Sequence, residues 1–388
     1  MDDPPPSYSS LFNDHASGIS YIDFLPFGVK ESFLSKPICD RFGKLIENAN
    51  RWLRLNPQWE IVTCESVEFK DKGGQILPTK MSYYENTKTQ MSFIRGLRLW
   101  LKTVPAGQER IKKIGYRNLV PQTVSSAGMF THAKYETLDD ILRRFNTGSR
   151  TSHLPGRIIT IETQGMKIKS GGAIDPDRSR WTEFDGRDNR FIYIIRIFYE
   201  ICDPLHETIG ITDFVPECRS SGLLNQEYEP FSAMFDRASS WCSRHRDLRI
   251  SNMQTLSTKV QGGINPRKMS YTEHEGRLTL FVKILRVAYI RQKFSPTPIR
   301  YSCKTFAPAQ LQSSSSFSMT FETLQQTMKK VSDWIQHNKA EVINMETAVV
   351  RLSSKGPTHS ANKSHYYDRG TPERYIFIIR AYFNGCHN

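Results

Sequence analysis

The 388-residue chain lacks any apolar run long enough to span a membrane as a helix. Its longest hydrophobic stretches are strand-sized, short of the ~20 residues a span needs, so no transmembrane segment is expected. Its N-terminus, MDDPPPSYSS, lacks the basic and apolar regions of a secretory signal. The seven cysteines are odd in number, scattered and without a C-x-x-C pair, which points to reduced thiols in the cytoplasm and argues against structural zinc. No phosphate loop, dinucleotide fingerprint, H-E-x-x-H or G-x-S-x-G is present. DPDRSR at 175–180 begins like a calcium loop but lacks the later ligands and glycine. The ten histidines are dispersed. An enzyme, a metal site and a cofactor are therefore not expected.

What the chain has is positive charge. The net charge is +14, without a long Lys/Arg run. Residues 1–36 hold five acids against Lys30 and Lys36, a net of −3, so the remainder carries +17. A basic body attracts phosphate, acidic lipid or acidic protein surfaces.

It also has internal periodicity. EIVTCESVEFK, RIITIETQGMKI, LRISNMQTLSTKV and EVINMETAVVRL align on Glu65, Glu162, Gln254 and Glu346, in steps of 97, 92 and 92 residues. A second run follows each and aligns on Arg98, Arg196, Arg286 and Arg380, 32–34 residues further on. Between them lies a basic residue, an aromatic and an acid: Lys80/Tyr83/Glu85, Arg178/Trp181/Glu183, Lys268/Tyr271/Glu273 and Lys363/Tyr366/Asp368. Upstream of each first run the apolar spacing is helical, as in Leu324, Met328, Val331 and Ile335. Thr320 and Thr323 mark a start for that helix and Asn338 its stop. The second copy contains Gly148 and Pro155 and predicts a shorter or broken helix. Trp52, Trp241 and Trp334 are expected to anchor the other helices on their sheets.

The fold class this predicts is α+β: four tandem α-β-β repeats of about 92–97 residues, pairing into antiparallel sheets covered by helices. Ferredoxin-like sandwiches or one larger pseudo-symmetric assembly both satisfy the pattern. The expected organisation is an acidic, Pro-rich flexible arm (1–34) and modules at 35–101, 134–201, 226–290 and 319–388. Linkers are expected at 102–133, 202–225 and 291–318.

Strand parity puts Ile378, Arg380 and Tyr382 on one face of YIFIIRAYF, so the arginine is set among apolar groups and needs a partner. The pairs Glu65–Arg98, Glu162–Arg196, Gln254–Arg286 and Glu346–Arg380 are expected to be structural. Gln254 would leave Arg286 without an acid, making it the arginine most available to an outside anion. The middle elements are either candidate ligand-binding groups, by stacking and hydrogen bonding, or cross-strand pairs with an exposed aromatic.

Pro5, Pro6, Ser7 and Tyr8 form a Pro-Pro-x-Tyr sequence. It resembles the short ligand motif of WW domains, including those of Nedd4-type ubiquitin ligases. The resemblance covers four residues and implies WW-domain partners, with the prolines holding a polyproline II turn. The expected function is a non-enzymatic multi-module binding or adaptor protein, its arm docking WW domains and its basic modules an anionic partner. Alternatives are a nucleic-acid-binding protein using the same surface, or a peripheral membrane or matrix-like protein attracted to anionic lipid.

Overall fold

The computed structural model describes residues 18–29, 38–72, 75–85, 91–105, 110–126, 133–148, 154–169, 172–183, 189–221, 226–260, 262–273, 278–294, 299–312, 319–368 and 373–386. The chain is a strand-rich α+β protein whose elements fall into four segments of similar order, apart from an added strand at Gln75–Ile76 in the first and an added helix at Pro357–Asn362 in the fourth. A first strand leads through a two-stranded hairpin to a helix. A long strand, a four-residue strand and a last long strand follow.

In the first segment these are β1 (Ile19–Phe24), α1 (Phe42–Leu55), β2 (Trp59–Lys72), β3 (Ser82–Glu85) and β4 (Met91–Thr103). In the second they are β5 (Ile114–Leu119), α2 (Leu138–Gly148), β6 (Gly156–Lys167), β7 (Arg180–Glu183) and β8 (Asn189–Ile201). The third has β9 (Ile209–Phe214), α3 (Phe231–Arg244), β10 (Leu248–Lys259), β11 (Ser270–Glu273) and β12 (Thr279–Arg291). The fourth has β13 (Tyr301–Phe306), α4 (Leu324–Asn338), β14 (Glu341–Arg351), β15 (His365–Asp368) and β16 (Glu373–Asn384).

The helices form where the apolar spacing places them. At α4, Thr323 rather than Thr320 is the N-cap, and with Gln326 it makes a reciprocal capping box. α2 has 11 residues against 14 or 15 in α1, α3 and α4. Trp52 is buried in α1, and Trp241 and Trp334 are half-buried against the sheets below α3 and α4.

Each segment's last strand lies between its own first and long strands, all antiparallel. The stretches expected as linkers therefore carry β5, β9 and β13, and β1 lies within the expected arm. The expected sheet made of two modules' ribbons does not form. Instead, each four-residue strand leaves its own segment and pairs with the last strand of the one before: β7 with β4, β11 with β8 and β15 with β12. β3 completes the circuit by pairing with β16.

The long strands β2, β6, β10 and β14 form a second circuit inside the first. Each has a register shift three residues before its central Glu or Gln, at Val62, Ile159, Ser251 and Ile343. Such a bulge frees backbone groups for other partners. Ser66 N–H donates to Glu162 Oε2 at 2.9 Å and Thr163 N–H to Gln254 Oε1 at 2.9 Å. Thr255 N–H donates to Glu346 Oε1, and Thr347 N–H to Glu65 Oε1 at 2.6 Å. Equivalent residues are thus level, and the four strands start at one end of the molecule.

Four apolar cores sit between neighbours. α1 covers its own sheet together with Ile111, Ile114 and Phe198 of the second segment. α2 does the same with Ile209, Ile211, Ala288 and Ile290, and α3 with Tyr301 and Tyr382. α4 packs on Ile19, Tyr21 and Trp100 of the first segment. Burying each such large side chain contributes about 1.5–3 kcal/mol, so hydrophobic stabilisation is shared across every junction.

Candidate functional site

The central Glu or Gln and the Arg of each segment lie directly opposite each other: Glu65 and Arg98, Glu162 and Arg196, Gln254 and Arg286, Glu346 and Arg380. All four arginines are buried. Their hydrogen bonds, however, run mostly to other groups. Arg98 pairs with Asp23 through two bonds of 2.7 Å. Arg196 Nε donates to Asn118 Oδ1 at 2.8 Å. Among the described residues, only Arg380 has an ion pair to its opposing acid, Glu346, at 3.8 Å.

Arg286 corrects the expectation of a free arginine. It pairs with Asp213 at 2.7 and 3.0 Å, and Nη2 also donates to the Pro266 carbonyl at 2.8 Å. The acid missing from Gln254 is supplied by the first strand of the same segment.

Each arginine also reaches the hydroxyl that follows the central residue of the preceding segment. Arg98 donates to Thr347, Arg196 to Ser66, Arg286 to Thr163 and Arg380 to Thr255. The same hydroxyls donate to carboxylates: Ser66 to Glu162, Thr255 to Glu346 and Thr347 to Glu65. A buried charge persists only when its donors and acceptors are satisfied, and here satisfaction requires the neighbour.

Burial pushes the Glu65 carboxyl up to about 7, against the opposing pull of Arg98 and the bonds from Thr347 and Trp100. Burial likewise raises Glu162 and lowers Arg196 to about 10. At Arg98 burial works against the charge, but Asp23 more than offsets it and leaves the guanidinium above its ordinary value.

The aromatics of the middle elements stack face to face on the neighbouring last strand. Tyr83 lies on Tyr375, Trp181 on Phe93, Tyr271 on Phe191 and Tyr366 on Phe281. Ring centroids are 5.1–5.6 Å apart and the planes within 17°. These are directly opposed cross-strand pairs. Buried Arg95 adds a cation–π contact, 4.7 Å from the Trp181 ring.

The basic member of each element sits at the turn before its strand. Lys80 bridges to Thr323 of the fourth segment through the backbone. Arg178 Nε donates to the Arg180 carbonyl at 2.6 Å and lines an opening of about 230 Å³ with Cys39 and Arg41. Lys268 N–H donates to the Asn265 carbonyl and Lys363 N–H to the Ser360 carbonyl. Glu85 and Asp368 end β3 and β15 opposite Glu373 and Thr279. Glu183 and Glu273 end β7 and β11, and their side chains lie outside the described set, as do residues Pro5, Pro6, Ser7 and Tyr8.

Lys283 escaped the sequence reading. It is 4% exposed on β12, with its ammonium 5.8 Å from the centroid of the Tyr366 ring. Burial, reinforced by the Arg380 charge, lowers it to about 7.

One end of the molecule is built differently from this braced interior. There the long strands start, the last strands end and the helices finish. Arg51, Arg54, Lys112, Lys113, Lys293 and Lys339 are exposed at this end and make no ion pair among the described residues. Asn50 fixes α1 to β5 through two bonds of 2.8 Å with the Ile114 backbone. These bonds tie the last turns of α1, which carry Arg51 and Arg54, to the start of β5, which Lys112 and Lys113 precede. Several acids of this end are already engaged: Glu60 with Lys102, Glu200 with Arg157 and Glu207 with Arg249.

Among the described residues, no group of His, Cys, Asp and Glu gathers as a metal-ligand set, and no helix is long and apolar enough to cross a membrane. No protein-family model, curated protein or solved structure matches the chain.

Proposed function

We propose that the protein is a non-enzymatic binding scaffold. In this reading four copies of one α+β unit close into a pseudo-fourfold ring that presents a basic end to an anionic partner. The observation that carries it is the group of exposed cations, without ion pairs among the described residues, at the end where all four long strands begin. The interior arginines and glutamates serve the junctions, which leaves the surface charge as the recognition element. The described chain begins at Gly18 and enters β1 at Ile19, opposite Lys102, at this same end. Pro5, Pro6, Ser7 and Tyr8 are the elements proposed to dock WW domains. All seven cysteines are unpaired, which supports a reducing compartment such as the cytoplasm.

Retention of the full chain on a heparin column tests the basic end. A variant with Arg51→Glu, Arg54→Glu, Lys112→Glu and Lys113→Glu should elute at much lower salt than the parent. Unchanged elution of a folded variant would overturn this reading. The arm is tested by pulldown on immobilised WW domains, where Tyr8→Ala should abolish capture.

A further inference from the structure

We propose that the anionic partner of this end is a lipid bilayer carrying acidic headgroups. The inference rests on the basic-end reading above and adds a second, independent observation. The same end exposes large apolar side chains: Leu55 at 75%, Phe294 at 66%, Leu205 at 53% and Ile201 at 40%. Leu55 closes α1, Ile201 closes β8, Leu205 lies in the connection to β9 and Phe294 follows β12. They come from three consecutive segments whose strands are level, so they project from one end of the molecule.

Cations and apolar groups alternate there at close range. Leu55 follows Arg54, and Phe294 follows Lys293 with the Arg246 guanidinium 5.9 Å from its ring centroid. Cations at a helix C-terminus have an ordinary role in offsetting the helix dipole, and Arg51 and Arg54 fit it. Lys112, Lys113 and Lys293 are on no helix and do not.

The pairing of chemistries selects the partner. A nucleic acid would be gripped by cations and by stacked aromatics. Here the aromatics of the middle elements have one ring face taken by internal stacking. Exposed Leu and Ile gain nothing from a phosphate backbone. At a bilayer, Lys and Arg sit among acidic headgroups while Leu, Ile and Phe enter the acyl boundary just below.

The opposite end is unsuited to this. Its exposed Phe27, Val124 and Leu311 lie on the hairpins, each of which holds an acid: Asp40 bonds the Phe27 N–H, Glu136 the Gln122 N–H and Glu322 the Ala309 N–H.

Flotation of the full chain with vesicles tests this. Phosphatidylcholine vesicles serve as the neutral surface, and vesicles with 30% phosphatidylserine, on the order of a cytoplasmic leaflet, as the acidic one. The protein should float only with the acidic vesicles. Lys112→Glu/Lys113→Glu should cut the bound fraction about tenfold, and Leu55→Ser/Phe294→Ser should make residual binding vanish at moderate salt. These positions are exposed, so both variants should stay folded, which circular dichroism checks. Heparin retention without flotation would overturn the lipid assignment and leave the basic end standing. Flotation unaffected by Lys112→Glu/Lys113→Glu would overturn both. Flotation insensitive to Leu55→Ser/Phe294→Ser, with tighter binding to a single-stranded RNA, would assign the end to nucleic acid instead.

Discussion

Arg286 and Asp213 face each other across β12 and β9 as a forked pair, 2.7 and 3.0 Å long, with both side chains buried. The pair substitutes for the acid that Gln254 cannot provide. Removing one partner strands the other in a low-dielectric site. Asp213→Ala is expected to cost about 3–5 kcal/mol in denaturant unfolding. The same substitution with Arg286→Met added should recover part of that loss, because no uncompensated charge remains. An Asp213→Ala protein as stable as the parent would contradict the pairing.

Glu65 and Lys283 give the fold a pH signature. The Glu65 carboxyl is raised from 4.5 to about 7 by burial, so the folded chain holds this proton more tightly than the unfolded chain. Its contribution is complete below pH 4.5 and is lost as pH climbs through 7. Lys283 is lowered from 10.5 to about 7, so its burial penalty is full below pH 7 and is relieved as pH rises towards 10.5. Together they place a stability minimum near pH 7, readable as melting temperature at pH 5, 7 and 9.5. At Gln254 an amide serves, with Oε1 accepting from Thr163 N–H and Nε2 donating to its carbonyl. At Glu65, Oε2 also accepts from Trp100 Nε1 and Thr347 Oγ1, which an amide nitrogen cannot do, so Glu65→Gln should cost about 1–3 kcal/mol while flattening the acid side of the curve.

Lys283→Met should stabilise the protein, by about 1–3 kcal/mol at neutral pH, because the cost of burying the ammonium outweighs its cation–π contact with the Tyr366 ring. The slope of stability between pH 7 and 10 should shrink with it. A loss of stability on this change would mean that the contact with Tyr366 outweighs the cost of burying the ammonium.

Trp181 is 7% exposed, between the Phe93 ring and the Arg95 guanidinium. It belongs to β7 but completes the sheet of the first segment. Trp181→Ala should cost about 3–5 kcal/mol, as for other buried tryptophans. Tyr271→Ala should cost less, since Tyr271 is only half-buried. Hydrogen exchange should show the loss in β4 as well as β7, on both sides of the junction.

The sequence made some of this legible and hid the rest for physical reasons. Glu65 and Arg98, 33 residues apart, are two strand centres that antiparallel pairing sets opposite each other, and spacing alone could find them. The partners from other segments, Thr347 for Arg98 and Ser66 for Arg196, lie 249 and 130 residues away, where periodicity carries no contact information. The destination of the middle elements did leave a trace. Phe93, Phe191, Phe281 and Tyr375 each stand five residues before the aligned Arg, and these are the rings on which Trp181, Tyr271, Tyr366 and Tyr83 stack. Asp23, Asn118 and Asp213 were hidden by composition, because ISYIDF, IGYRNL and IGITDF sit in stretches that prolines and glycines mark as connections. Lys283 stands between Val282 and Ile284, and strand alternation alone does not separate a buried ammonium from one that reaches solvent along its flexible stem.

The bond between β3 and β16 has a further consequence. Ser82–Glu85 cannot find their mates until residues 373–376 have been made, so the first segment to leave the ribosome is also among the last to be completed. A chain cut after residue 318 would keep three segments but leave β3 with no mate and β12 without β15 beside it. Two such unsatisfied edges are complementary between copies, and exposed edges of this kind recruit other chains. Light scattering of the 1–318 fragment should accordingly show open-ended oligomers, whereas the intact chain uses up its own adhesive ends.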